Sequence, residues 1–167
     1  MFKLPSLQRS MTLVCSRDPA LDTPPDIEDG DGATPEETAK AQAAWTEWAR
    51  KIEQARETGA WASLIKDGAQ PTMFEVRPFP GVPLRKLIDA RSRGEIGEVE
   101  CAALAFRICL IGVSNLGDAK VTKTAHSRFG DMASEDITNL LDSIEPRIVS
   151  ELGNLVFQRG VSPDPKS

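Results

Sequence analysis

This sequence of 167 residues is poor in several residue types on which active sites depend. It has a single His, three Cys and no Tyr, and aromatic residues make up only 5% of the chain. An imidazole-activated nucleophile would need His126, which lies in a polar stretch without a neighbouring Cys. A triad assembled in space stays open, but we predict no catalytic residue and interpret the chain as a protein that is not an enzyme.

Clustered metal and phosphate ligands are also missing. Cys101 and Cys109 share an apolar run with neither a Cys-x-x-Cys nor a His-x-x-x-His motif, and both are expected to be buried. The acidic stretch from Asp26 to Asp31 lacks the ligand alternation and distal Glu of an EF-hand, and no Gly-x-x-x-x-Gly-Lys-Ser/Thr motif occurs. We therefore expect no metal and no cofactor.

Charge and hydropathy limit the partners and the cellular compartments that are expected for the chain. The net charge is −5 and the pI is about 5.0, which argues against non-specific binding to nucleic acid. The longest apolar run, residues 101–113, is interrupted by Arg107 and Gly112, and is shorter than the roughly 20 residues that cross a bilayer. The N-terminus has no apolar stretch of signal-peptide length. These features predict a protein that is neither secreted nor transmembrane, in a reducing compartment.

Periodicity predicts a mainly α fold with a short β element, in which about five helices follow an extended N-terminal arm. Residues 1–33 contain the acidic stretch, several Pro and little periodicity, which indicates the arm. A helical domain over 34–160 and a tail over 161–167 follow. The Thr34-Pro35-Glu36-Glu37 sequence is typical of a capping box and predicts a long helix over 35–58, stopped by Gly59.

The other elements are predicted from alternation and from Gly and Pro. A strand over 72–79 should turn Phe74 and Val76 to one side and Glu75 to the other, and Pro78 restricts it to a sheet edge or a strand end. Residues 114–133 are expected to form a polar loop. Ile137, Leu140 and Leu141 are expected to face inward. The predicted helices after the strand span 83–93, 98–112, 135–144 and 146–159, with the second of them central and buried.

Two surfaces are candidates for contacts with other proteins. Trp45, Trp48 and Ile52 lie on one stripe of an otherwise polar helix, where they either pack on the domain or anchor a partner. Between residues 77 and 93, five cations face a single carboxylate, Asp89, and form either a solvated helix face or a docking site for an acidic protein. We call this set the basic patch: Arg77, Arg85, Lys86, Arg91 and Arg93.

Three stretches resemble a known class of proteins: Asp18-Pro-Ala-Leu-Asp22, Gly68-Ala-Gln-Pro-Thr-Met-Phe-Glu-Val-Arg-Pro-Phe79 and Gly112-Val-Ser-Asn-Leu116. The chain resembles, over about residues 60–160, the small accessory proteins encoded in the structural gene modules of tailed bacteriophages. The resemblance implies a non-catalytic structural protein of the virion, in the capsid, at the head–tail junction or in the tail. Its partners would be other phage structural proteins or copies of itself, in the virion or in the host cytoplasm.

Two other functions remain open. The first is that of a tail assembly chaperone, which the same resemblance covers and which would be absent from the mature particle. The second is that of a nucleic-acid-binding accessory protein using the basic patch, although that region lacks the interleaved aromatic residues on which bases stack.

Overall fold

The computed structural model describes residues 10–25, 34–126 and 128–161. In this part of the chain there are five α-helices and five short β-strands, so the predicted mainly α class with a smaller β component is confirmed. The described residues form two compact units. One spans residues 16–72, and the other combines the residues before 16 with those after 72.

The unit of residues 16–72 is built on helix α1, Pro35–Thr58. The Thr34 hydroxyl accepts a hydrogen bond from the Glu37 amide (3.3 Å), and the Glu37 carboxylate accepts one from the Thr34 amide (2.8 Å). At the other end, Gly59 has a φ of 73°, a left-handed conformation that glycine adopts without strain. The predicted bounds, capping box and stop of this helix are all confirmed.

Residues 16–25 belong to the same unit, in contrast to the predicted extended arm. Leu21 is fully buried and forms a β-bridge with Ile65, next to a 3-10 turn at Ala62–Leu64. Asp18 is 7% exposed, and its carboxylate accepts hydrogen bonds from the amides of Ala20 (2.8 Å) and Thr72 (2.9 Å). A short polar segment can be held in this way because its backbone donors find a buried acceptor.

The second unit contains a three-stranded antiparallel sheet in the order β1 (Met11–Leu13), β2 (Met73–Val76), β3 (Leu110–Ser114). Phe74 and Val76 are buried and Glu75 is exposed, as predicted. β2 is shorter than the predicted strand and is paired on both sides, so it is not an edge strand. Pro78 lies beyond its end, where the missing N–H does not interrupt a ladder.

Four helices complete this unit: α2 (Gly81–Ser92), α3 (Glu98–Cys109), α4 (Glu135–Ile144) and α5 (Arg147–Val161). α3 is the buried central helix, as predicted, and its apolar side chains pack with those of the sheet and the other helices. α5 crosses it very closely: a Cβ built on Gly153 would lie 2.1 Å from the Ala102 carbonyl oxygen.

The predicted helix over 98–112 is too long. α3 ends at Cys109, and the rest of the run forms β3, whose backbone pairs with β2. β-branched Ile111 and Val113 favour a strand, and Gly112 is a poor helix former. Periodicity alone did not separate the two elements because the residues are apolar in both.

The prediction that residues 114–133 form a polar loop is wrong. This segment contains an antiparallel hairpin of β4 (Lys123–His126) and β5 (Gly130–Ala133). β4 is mostly exposed, so it lacks the apolar alternation by which strands are recognised.

The remaining bounds differ little from the prediction. α2 begins two residues earlier than predicted, α4 has the predicted bounds, and α5 starts one residue later and ends two residues later. The acidic stretch 26–31 and residues 162–167 of the predicted tail lie outside the described residues.

Candidate protein interface

The tryptophan stripe of α1 is divided by its surroundings. Trp48 is 6% and Ile52 2% exposed, and the Trp48 indole donates to the Ser16 carbonyl (3.2 Å). Trp45 is half-buried: its indole donates to the Pro25 carbonyl (3.0 Å), and the Arg17 guanidinium lies 5.0 Å from its ring centre. Trp48 and Ile52 therefore pack within the chain. Of the two predicted alternatives for these residues, packing on the domain holds, and they are not exposed to anchor a partner protein.

Arg77, at one end of the predicted basic patch, stabilises the end of α3. Its Nε donates to the Ile108 carbonyl (3.1 Å) and its amide to the Cys109 carbonyl (2.9 Å). Lys123 reaches the same region and donates to the Leu110 carbonyl (2.7 Å). Both cations meet carbonyls that a helix end leaves without an intrahelical donor, where positive charge is favoured. Burial, and secondarily the charge of Arg77, lowers the pKa of Lys123.

Arg91 turns away from the other cations of α2. Its guanidinium lies 5.5 Å from the centre of the Phe157 ring on α5 and 4.0 Å from the Glu98 carboxylate on α3. These contacts join three helices of the unit. The basic patch of the sequence is therefore not one surface, since Arg77 and Arg91 serve the packing of the fold.

The remaining cations of α2 lie on its exposed side. At 100° per residue, Arg85, Lys86 and Asp89 fall on one arc of the helix with Val82, whose side chain is 55% exposed. We call these four residues the α2 face. Arg85 has no carboxylate partner among the described residues, so a strong charge remains available there.

Arg128 adds a cation next to the α2 face that sequence reasoning missed. The Lys86 ammonium donates to the Arg128 carbonyl (3.0 Å). The Arg128 guanidinium and Arg93 (3.3 Å) both pair with the Glu95 carboxylate. One carboxylate between two guanidinium groups leaves a positive surplus. Nothing local in the sequence indicates this contact, which depends on the turn between β4 and β5.

In contrast to the cations of α2, helix α4 exposes apolar and acidic side chains. Leu140 is 40% and Ile144 54% exposed, and with Asp136 they follow each other at intervals of four residues. We call these three residues and the neighbouring Ser143 the α4 face. Over residues 135–145 there are four carboxylates and no basic side chain. The prediction that Leu140 faces inward is wrong, because Ile137, Thr138 and Leu141 already fill the buried side of the helix.

His126, the only imidazole, closes the hairpin. Its Nδ1 accepts from the amides of Arg128 (3.2 Å) and Phe129 (3.4 Å), and its ring stacks on Phe129 with centres 5.1 Å apart. Nδ1 is thereby occupied as an acceptor, and the contacts account for the residue as part of a turn.

The three thiols are all buried. Burial raises the pKa of the Cys101 thiol, and it raises that of Cys109 to about 12. Cys15 donates to the Glu151 carboxylate (3.3 Å). Thiolates, the reactive form, are thus disfavoured at Cys101 and Cys109.

Neither a metal site nor a membrane-spanning helix is found in the described part of the chain. In residues 10–25, 34–126 and 128–161, no group of three or more His, Cys, Asp or Glu side chains could hold a metal ion. Among the helices so described, none is long and apolar enough to cross a membrane.

Comparison with known proteins adds no relative. No protein-family model, no curated protein and no solved structure matches this chain.

Proposed function

We propose that this protein is a non-catalytic structural component of a tailed-phage particle that works through contacts with other proteins. The observation that carries the proposal is the pair of unlike exposed helix faces in one small unit. The α2 face combines Val82 with a net positive charge, and the α4 face combines Leu140 and Ile144 with the Asp136 carboxylate. Exposed apolar side chains rimmed by charge are typical of protein interaction surfaces.

The roles of the reactive residues also support it. His126 holds a turn, Cys109 has a raised pKa, and Asp18 caps buried amides. His126 and Asp18 are thus engaged in holding the backbone, and the buried thiol of Cys109 is disfavoured as a nucleophile. The resemblance over residues 60–160 adds the phage context, in which a weak contact is repeated many times in a ring or shell and becomes strong in sum.

The proposal is tested by quantitative mass spectrometry of purified, salt-washed particles of the phage that encodes the chain. We expect the protein in a fixed ratio to the capsid or tail-tube subunit. Absence from washed particles would contradict a place in the virion.

The alternative of a tail assembly chaperone predicts a different result from the same preparation. The protein would be missing from particles but would co-purify from infected cells with the long tape-measure protein of the tail. A pull-down with tagged protein distinguishes the two, since a virion component should instead capture shell, junction or tail subunits.

The alternative of nucleic-acid binding has less support. Arg77 and Arg91 have partners within the chain, and Glu95 compensates part of the charge of Arg93 and Arg128. It predicts DNA binding that weakens steeply with salt and is lost on Arg85→Glu. A gel shift at low salt without binding would exclude it.

A further inference from the structure

The two exposed helix faces carry opposite charges and similar apolar centres. The α2 face presents Val82 with Arg85, Lys86 and one carboxylate, Asp89, and so has a net positive charge, whereas the α4 face presents Leu140 and Ile144 with the Asp136 carboxylate. Each face has the charge that would repel a second face of its own kind. Each is also complementary to the other.

From this complementarity we infer that the protein self-associates head to tail, with the α2 face of one copy docking on the α4 face of the next. The inference deepens the proposed function by naming a second copy of the chain as the partner. Two identical α4 faces would set their Asp136 carboxylates against each other, and no Lys or Arg lies in residues 135–145 to compensate them. Like charges in contact oppose a symmetric contact of that kind.

The two faces are attached to the same core. α2 and α4 belong to one unit, in which both pack against α3 and α5. A contact between different faces of one rigid unit leaves a free face at each end of a pair. It therefore continues into a ring or an open chain of copies rather than stopping at a dimer.

The contact should be weak and sensitive to salt. Its charges are exposed, and exposed ion pairs contribute little individually and are screened by ions. Its apolar part consists of three partly exposed side chains. We expect concentration-dependent association in sedimentation velocity toward about 1 mM protein, which weakens on raising the salt from about 0.05 M to about 0.5 M.

Charge reversal on each face gives a decisive test with the full chain. The first variant combines Arg85→Glu with Lys86→Glu, and the second combines Asp136→Lys with Ser143→Lys, both positions of the α4 face. Either variant alone has two faces of like charge, so its self-association should fall at least about tenfold. A mixture of the two variants has complementary faces again and should recover association.

The apolar part is tested separately. Ile144→Ser should weaken association without lowering the melting temperature, because the side chain is already 54% exposed. Val99→Ser is the matched control: Val99 is 76% exposed on α3 but lies outside both faces, so association should stay as in the wild type.

Three results would overturn the inference. They are a wild-type protein that stays monomeric at about 1 mM and low salt, an α2 variant that associates as well as the wild type, and folded variants whose mixture does not associate. Melting curves of each variant establish that it is folded. None of these results bears on whether the protein is found in particles, so the proposed function and this inference fail separately.

Discussion

The crossing of α3 and α5 allows a sharp prediction about stability. Gly153 is buried at the point where the two helices approach most closely, and a Cβ there would lie 2.1 Å from the Ala102 carbonyl oxygen and 2.6 Å from its carbon. Real Cβ atoms essentially never come within 3.0 Å of such neighbours. Because the obstacle is backbone, no rotamer change relieves it. Gly153→Ala must therefore push the helices apart by roughly 1.3 Å to reach ordinary van der Waals contact.

The expected loss follows from two opposing terms. Alanine in a helix is favoured over glycine by about 0.8–1.0 kcal/mol. Overpacking a core costs about 1–3 kcal/mol and occasionally more. A backbone clash of this size belongs at or above the top of that range, so we expect a net loss of about 2 kcal/mol or more. For a chain of this length that lowers the melting temperature by roughly 4–8 °C.

Urea unfolding followed by far-ultraviolet circular dichroism is the appropriate assay. Tryptophan fluorescence would report on the wrong unit, since all three Trp lie within residues 16–72. Gly81→Ala is the matched control, because Gly81 is also helical but a Cβ there meets nothing within 4 Å. That variant should be neutral or slightly more stable. If Gly153→Ala proved as stable as Gly81→Ala, the close crossing of α3 and α5 would be refuted.

Four further predictions concern other parts of the molecule. Trp48→Ala should lower the free energy of unfolding by about 3–5 kcal/mol, because it empties a buried site; a loss below about 1 kcal/mol in urea titrations followed by Trp fluorescence would mean that the side chain is not core. Asp18→Ala should cost about 1–3 kcal/mol by leaving two amide donors without their acceptor, with exposed Asp67→Ala as the control that should melt like the wild type. Ellman's reagent should find no fast-reacting thiol in the native protein and three in denaturant; a stoichiometric fast reaction without denaturant would argue against the burial of the cysteines. Burial raises the pKa of Cys109 in the folded protein to about 12 from an ordinary value of 9.0. The stabilisation that comes from keeping this thiol protonated is therefore complete below pH 9 and is lost as the pH rises toward 12. Urea titrations at rising pH should show the decline in stability, and the decline should be smaller in Cys109→Ala.

Much of the helical structure was determined by the sequence itself. The capping box of Thr34 and Glu37 and the left-handed stop at Gly59 fix α1 to the residue, because both signals act through backbone groups close in sequence. The buried character of α3 likewise follows from its composition, since a helix that is apolar on nearly all sides has no face to give to water.

The sheet and the surfaces depended on contacts between distant residues. β3 was hidden in the apolar run after α3, and β4 is too exposed to show a period, so both strands exist through pairing that no local pattern encodes. The same holds for the basic patch. Its five cations are near each other in sequence, but Arg77 donates to a carbonyl at the end of α3 and Arg91 packs on the Phe157 ring of α5. Arg128, by contrast, is distant in sequence and lies next to Lys86 only in the folded chain.

The sequence by itself therefore determined most of the helical segments and which residues are candidates for contact. Only the tertiary structure decided which of those residues reach the surface. It buried Trp48 and Ile52, exposed Leu140 and, among the described residues, left Arg85 without a carboxylate partner. The physical reason is that helix caps and periodicity are local, while burial and charge compensation depend on groups that the fold brings together from far along the chain.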